Sequence, residues 1–199
     1  MTKNFLFFFL LLCTTAFAQN NDSKSDADWK KVYRAEATKI NDLVDTKLEV
    51  RFDFSKSYMY GKEWLTLHPH FYPTDSLTLD AKGMNINEVA LFSNGKKTPL
   101  QYRYDDSMFL RITLNKTYAG GENYTVYIDY TSKPNEWHAQ GSAAITGAKG
   151  LYFINPTGEE KNKATEIWTQ GETEANSVWM PTIDKPNQKT TVFNIMPRF

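Results

Sequence analysis

The chain has 199 residues, room for one substantial domain but not for the common two-domain enzymes. Its 23 Lys+Arg balance 23 Asp+Glu, which excludes the basic footprint of a nucleic-acid binder. Aromatics at 15% demand a packed core, and a single cysteine excludes a disulfide scaffold and a thiolate zinc site.

Met1 to Ala18 reads as a secretory signal, with Lys3, an apolar run from Phe5 to Cys13, and the cleavable small-x-small pattern Ala16-Phe17-Ala18. The run is far shorter than the roughly 20 residues a spanning helix needs, so no permanent membrane span is expected. Leu10-Leu11-Leu12-Cys13 resembles a lipobox, but Leu12 stands where a small residue usually precedes the lipid-bearing cysteine. Cleavage after Ala18 is the preferred expectation. It predicts an exported protein (periplasmic, secreted or extracellular) whose mature chain starts at Gln19 and has no cysteine.

Residues 19–32 are expected as a disordered leader, because Gln19 to Asp28 lacks any large apolar side chain. Trp29 to Leu43 could form a short, weakly capped helix. From Lys47 the chain alternates: Leu48, Val50, Phe52 and Phe54 interleave with Glu49, Arg51 and Asp53. A period of two marks strands with one face on a core and one in solvent. The pattern recurs at Leu65–Leu67, Leu77–Leu79, Ile86–Leu91, Leu100–Tyr104, Phe109–Leu114 and Tyr124–Tyr130, and a further strand is expected at Leu151–Asn155. Turn-forming clusters such as Ser93-Asn94-Gly95-Lys96 and Ala119-Gly120-Gly121-Glu122 separate the strands. The expected fold is therefore all-β and mostly antiparallel, a sandwich or barrel with one short helix at its start.

Chemistry-bearing residues are few. The histidines are His68, His70 and His138, and His68-Pro69-His70 has no third metal ligand spaced nearby, so strand-end histidines are the simpler reading. The sequence contains no H-E-x-x-H, no G-x-S-x-G and no P-loop. The informative stretch is Trp168-Thr169-Gln170-Gly171-Glu172. If it is extended, Gln170 and Glu172 share a face, with Gly171 leaving room for close approach between them. A carboxylate beside an amide suits recognition of a charged amine next to a peptide group. A solvated polar pair at a strand end is the plainer alternative.

Thr169-Gln170-Gly171-Glu172, followed by Trp179-Met180-Pro181-Thr182-Ile183-Asp184-Lys185-Pro186, resembles the N-terminal domain of the aminopeptidase N family of zinc metallopeptidases. Leu77-Thr78-Leu79-Asp80-Ala81-Lys82-Gly83 is similar to one of its opening strands. Lys185 departs from the family, which usually carries an acid inside the Asp-x-Pro triplet. The resemblance implies a saddle-like β-domain over residues 33–199, with a short helical passage after Glu172. It further implies that Glu172 binds the free α-amino group of a peptide and that Gln170 lines the first specificity pocket, while Asp184 and Pro186 form a turn. Zinc would belong to the full-length enzyme, on an H-E-x-x-H helix that this chain does not carry, so a downstream catalytic domain is the expected partner and the chain alone should be inactive. The end at Phe199 looks C-terminally incomplete for that domain. Two other readings stay open: a stand-alone secreted β-sandwich that binds peptide or glycan through exposed aromatics, and a degenerate paralogue that kept binding and lost hydrolysis.

Overall fold

The structure, a computed structural model, describes residues 38–138, 147–172 and 174–198. The signal, the disordered leader and most of the expected first helix lie outside these residues. Among the described residues the fold has eleven strands: β1 (Asn41–Asp53), β2 (Tyr58–Pro69), β3 (Thr74–Asp80), β4 (Asn85–Ser93), β5 (Lys96–Pro99), β6 (Gln101–Arg103), β7 (Phe109–Tyr118), β8 (Tyr124–Ser132), β9 (Leu151–Ile154), β10 (Glu166–Thr169) and β11 (Val192–Pro197). The all-β, sandwich-like expectation holds.

The strands form a six-stranded sheet ordered β11-β1-β2-β8-β4-β5, a three-stranded sheet β3-β7-β6, and the two-stranded β10-β9. Every pairing is antiparallel except β1 with β11. The first two sheets bury their inner faces against each other. Leu48, Met59, Leu65, Val126 and Ile128 come from one sheet, and Leu77, Leu79, Leu110 and Ile112 from the other. The sequence alternation is thus a record of which side chains point between the layers.

Three departures from the sequence reading have clear causes. Asn41 to Leu43, expected to end a helix, open β1 instead, because they pair with Pro69 to Leu67 of β2. The alternation around Leu100 is two strands. The chain leaves β4's side at Pro99, buries Leu100, and joins β7 from Gln101, so it crosses between sheets at that residue. Strand β11 was not expected: all six of its residues are exposed, so burial leaves no alternating pattern in it.

The turn between β4 and β5 follows its residue types. Asn94 and Gly95 both take positive φ, 50° and 74°, the primed geometry that matches strand twist in a tight hairpin. On the outer face of the six-stranded sheet, Trp64 packs on Tyr127 at 5.1 Å between ring centroids. Lys47 lies over Trp64 at 4.3 Å, Arg51 over Tyr60 at 4.2 Å and Lys97 over Tyr127 at 4.1 Å. One position breaks the inner-face pattern: Glu63, in the apolar row of β2, is fully buried and neither carboxyl oxygen has a partner.

Candidate functional site

The site grows out of the β9–β10 pair. Trp168 stands opposite Tyr152 and Thr169 opposite Leu151. Ile167 packs against the core, and Phe153 meets Phe54 edge-on at 5.6 Å. Past Thr169 the Gln170 N–H still donates to the Gly150 carbonyl at 2.8 Å, and then the chain turns. Glu174 and Ala175 N–H groups both donate to the Gly171 carbonyl, at 3.1 and 3.0 Å. The extended geometry expected from Trp168 to Glu172 therefore stops short. A turn brings the predicted pair together: Gln170 Nε2 lies 3.4 Å from Glu172 Oε2. Gln170 is half-buried and Glu172 exposed. Among the described residues Glu172 makes no salt bridge, in contrast to Glu174, which pairs with Lys185 at 3.0 Å.

The room left at Gly171 is taken by the chain itself, since a Cβ there would fall 2.5 Å from the Asn176 side-chain amide. Gly150 is more constrained. Its φ is +69°, and a Cβ would sit 1.9 Å from the Ala175 carbonyl oxygen. The backbones at Gly150 and Ala175 are thus pressed together, which sets where Gln170 and Glu172 can lie.

The short helical passage after Glu172 is a single 3-10 turn at Asn176–Val178. Asp184 and Pro186 sit in the following turn, and Asp184 is buried. Its Oδ2 accepts the Ser177 N–H at 2.9 Å, which makes it a cap on the 3-10 turn. Its own N–H donates to Asp80 Oδ2 at 2.9 Å, and Asp80 exchanges backbone bonds with Thr182 at 2.7 and 3.0 Å. Lys82 adds a third tie, donating its N–H to the Ser177 carbonyl at 2.7 Å and its ammonium to the Glu174 carbonyl at 2.6 Å. The end of β3 therefore staples the whole loop in place. Sequence reading missed this role of Asp80; the available signal was an acid that directly follows the core residue Leu79, at the end of the strand and on its other face.

Lys185, the departure within the Asp-x-Pro triplet, has a local explanation. Burial alone would lower its pKa, but the Glu174 carboxylate and the nearby Asp80 and Asp184 charges more than offset this and leave it raised. A cation here neutralises a turn crowded with acids. Removing the Asp184 carboxylate leaves the buried Ser177 N–H without an acceptor. Asp184→Ala is expected to lower stability by about 2 kcal/mol in urea unfolding. A loss under about 0.5 kcal/mol would mean the staple does not hold the loop.

The histidine pair lies at the far end of β2. His70 Nδ1 is 2.5 Å from Asp42 Oδ2, His68 Nδ1 is 3.0 Å from the Pro69 carbonyl, and Lys39 also binds Asp42, at 2.5 Å. Among the described residues no group of three or more His, Cys, Asp or Glu is placed to hold a metal ion. Behind β10 lies an apolar hollow of about 460 Å³, lined by Ile167, Thr169, Leu151, Trp179, Met180 and Phe193 among others.

Residues 31–196 match the family model described as the peptidase M1 N-terminal domain. None of the curated proteins matches the chain significantly. Among solved structures, an M1 zinc metallopeptidase from Deinococcus radiodurans superposes with a TM-score of 0.61 at 16% identity, over 82% of this chain and 34% of that one. A mutant of it bound to a Tyr-Ser-Ala substrate gives the same values. Native leukotriene A4 hydrolase from Saccharomyces cerevisiae gives 0.57 at 18% identity, over 85% of this chain and 27% of that one. The chain thus spans about a third or less of the length of these structures, and at such identity the likeness shows the fold.

Proposed function

The chain belongs to the peptidase M1 N-terminal domain family, and from that premise we propose that it is the substrate-anchoring domain of an exported zinc metallo-aminopeptidase that removes N-terminal residues from peptides. The observation that carries this reading is the Gln170–Glu172 pair, 3.4 Å apart beside a loop that contacts at Gly150, Asp80 and Asp184 tie to the sheet. A carboxylate distinguishes a free α-ammonium from an internal amide by charge, and the neighbouring amide can meet the first peptide group. The Deinococcus mutant is bound to a Tyr-Ser-Ala substrate, a short peptide like those this arrangement would take.

The chain's residues do not fit the zinc that the family implies. The sequence has no H-E-x-x-H, and Asp42, the carboxylate beside the His68–His70 pair, is already bound by Lys39. Zinc and the hydrolytic step are assigned to a catalytic domain downstream, and the chain by itself is expected to bind without cleaving. Export rests on the Met1–Ala18 leader. The rival reading, a stand-alone module that binds through exposed aromatics, is weakened on the outer face of the large sheet. There Trp64, Tyr60 and Tyr127 each carry a cation over the ring, where a ligand would stack.

Equilibrium dialysis of a free-amine tripeptide and its N-acetylated form tests the proposal. The free amine should bind in about the millimolar range, since half the pocket would be supplied by other residues. Acetylation, or Glu172→Gln in the protein, should weaken binding at least about tenfold. Equal binding of the two peptides would remove the anchoring role.

A further inference from the structure

We propose that Trp168, propped on Tyr152, is a specificity-determining shelf that takes an aromatic or large apolar side chain from the peptide whose amino group Glu172 holds; the inference rests on that anchoring reading. Trp168 and Tyr152 face each other across the β9–β10 ladder with ring centroids 5.5 Å apart and planes at 45°. Tyr152 is held from behind: its hydroxyl donates to the Gly147 carbonyl and accepts the Lys149 N–H at 3.4 Å. The indole is thus supported on one side and 56% exposed overall. Trp64, on the large sheet, has a lysine ammonium over its ring; among the described residues Trp168 has none.

Position decides what this exposed ring can do. In a strand, alternate residues share a face, so Trp168 and Gln170 project to the same side, while Ile167 and Thr169 line the apolar hollow behind. Gln170 in turn touches Glu172. The shelf therefore begins one strand repeat from the anchoring pair, about 7 Å away, within reach of a side chain on an anchored residue. An indole offers an aromatic or branched aliphatic ligand a flat face for offset stacking, and offers a methyl group much less. The implied ligand class is peptides that begin with Phe, Tyr, Trp or Leu rather than Ala or Gly.

The test titrates the whole chain with phenylalaninamide, alaninamide and N-acetylphenylalaninamide, following the assigned Trp168 indole N–H by NMR. Phenylalaninamide should bind about three- to tenfold more tightly than alaninamide and shift that resonance. Trp168→Ala should erase the preference by weakening phenylalaninamide several-fold more than alaninamide, and Trp168→Phe should retain most of it. Equal affinities in the unsubstituted protein, or equal loss for both ligands in Trp168→Ala, would overturn the shelf. The acetylated ligand separates the two readings. If it binds as well as phenylalaninamide and the preference for Phe persists, the anchoring role of Glu172 fails and the shelf stands.

Discussion

Gly150→Ala is expected to lower the unfolding free energy by about 3 kcal/mol or more, the combined effect of a strained backbone and an overfilled contact. The backbone at Gly150 has φ +69°, where a side chain is strained whatever the space. The new methyl would also sit 1.9 Å from the Ala175 carbonyl oxygen and 2.8 Å from Trp179 Cδ1. The first is backbone, which can yield only by moving the turn. Gly95→Ala is the internal control: its φ is +74°, but nothing lies within 4 Å of the added carbon. That variant should lose about 1 kcal/mol. The difference between the two in guanidinium unfolding isolates the close approach, and similar losses would show that the strand end does not press on the turn. Because Gln170 donates to the Gly150 carbonyl, the alanine variant should also lose amine binding.

Glu63 should make the domain less stable as pH rises, the reverse of the usual carboxylate. Burial pushes its pKa well above the ordinary 4.5, and no partner compensates. The folded state therefore holds the proton more tightly than the unfolded chain. Its stabilising contribution is complete below about pH 4.5 and is lost as pH rises toward the folded pKa, by up to about 1.4 kcal/mol per pH unit. Tyr130 of β8 shares the environment: burial first, and then the Glu63 charge, raise its hydroxyl pKa, and its ring lies over Gly61, the β2 residue it pairs with, two positions from Glu63. Glu63→Met keeps the volume and removes the charge, so it should stabilise the domain by about 2 kcal/mol or more at pH 8 and by little at pH 4. Unfolding curves from pH 4 to 8 give the difference directly. Parallel pH profiles for the two proteins, or a loss of stability in Glu63→Met at pH 8, would contradict the account.

These two positions show what the amino-acid order discloses and what it hides. Strands β1, β2, β7 and β8 were legible because each has one face on the core, and burial writes a period of two into the residues. Strand β11 was not, since Val192 to Pro197 lie exposed on an edge and are placed by parallel pairing with β1, more than 140 residues earlier. The helix expected to end at Leu43 lost to the β2 pairing, a tertiary override of weak local preference. Gln170 and Glu172 were singled out by their types, their spacing and the family resemblance of their flanks, and a turn rather than a strand joins them. The residues that hold them were hidden. Asp80 acts on Asp184 across 104 positions, and Gly150 is required only because Ala175 comes to meet it. Local pattern shows which groups could bind; packing between distant segments decides where they stand.

The central claim is that the Glu172 carboxylate receives a peptide's leading ammonium. Carbon-13 NMR of the chain labelled at glutamate side-chain carboxyls reads that contact at the atom concerned. The account predicts that phenylalaninamide shifts the Glu172 resonance in a saturable way and that N-acetylphenylalaninamide leaves it in place. A Glu172 signal unmoved by the free amine, or moved equally by both ligands, would contradict it.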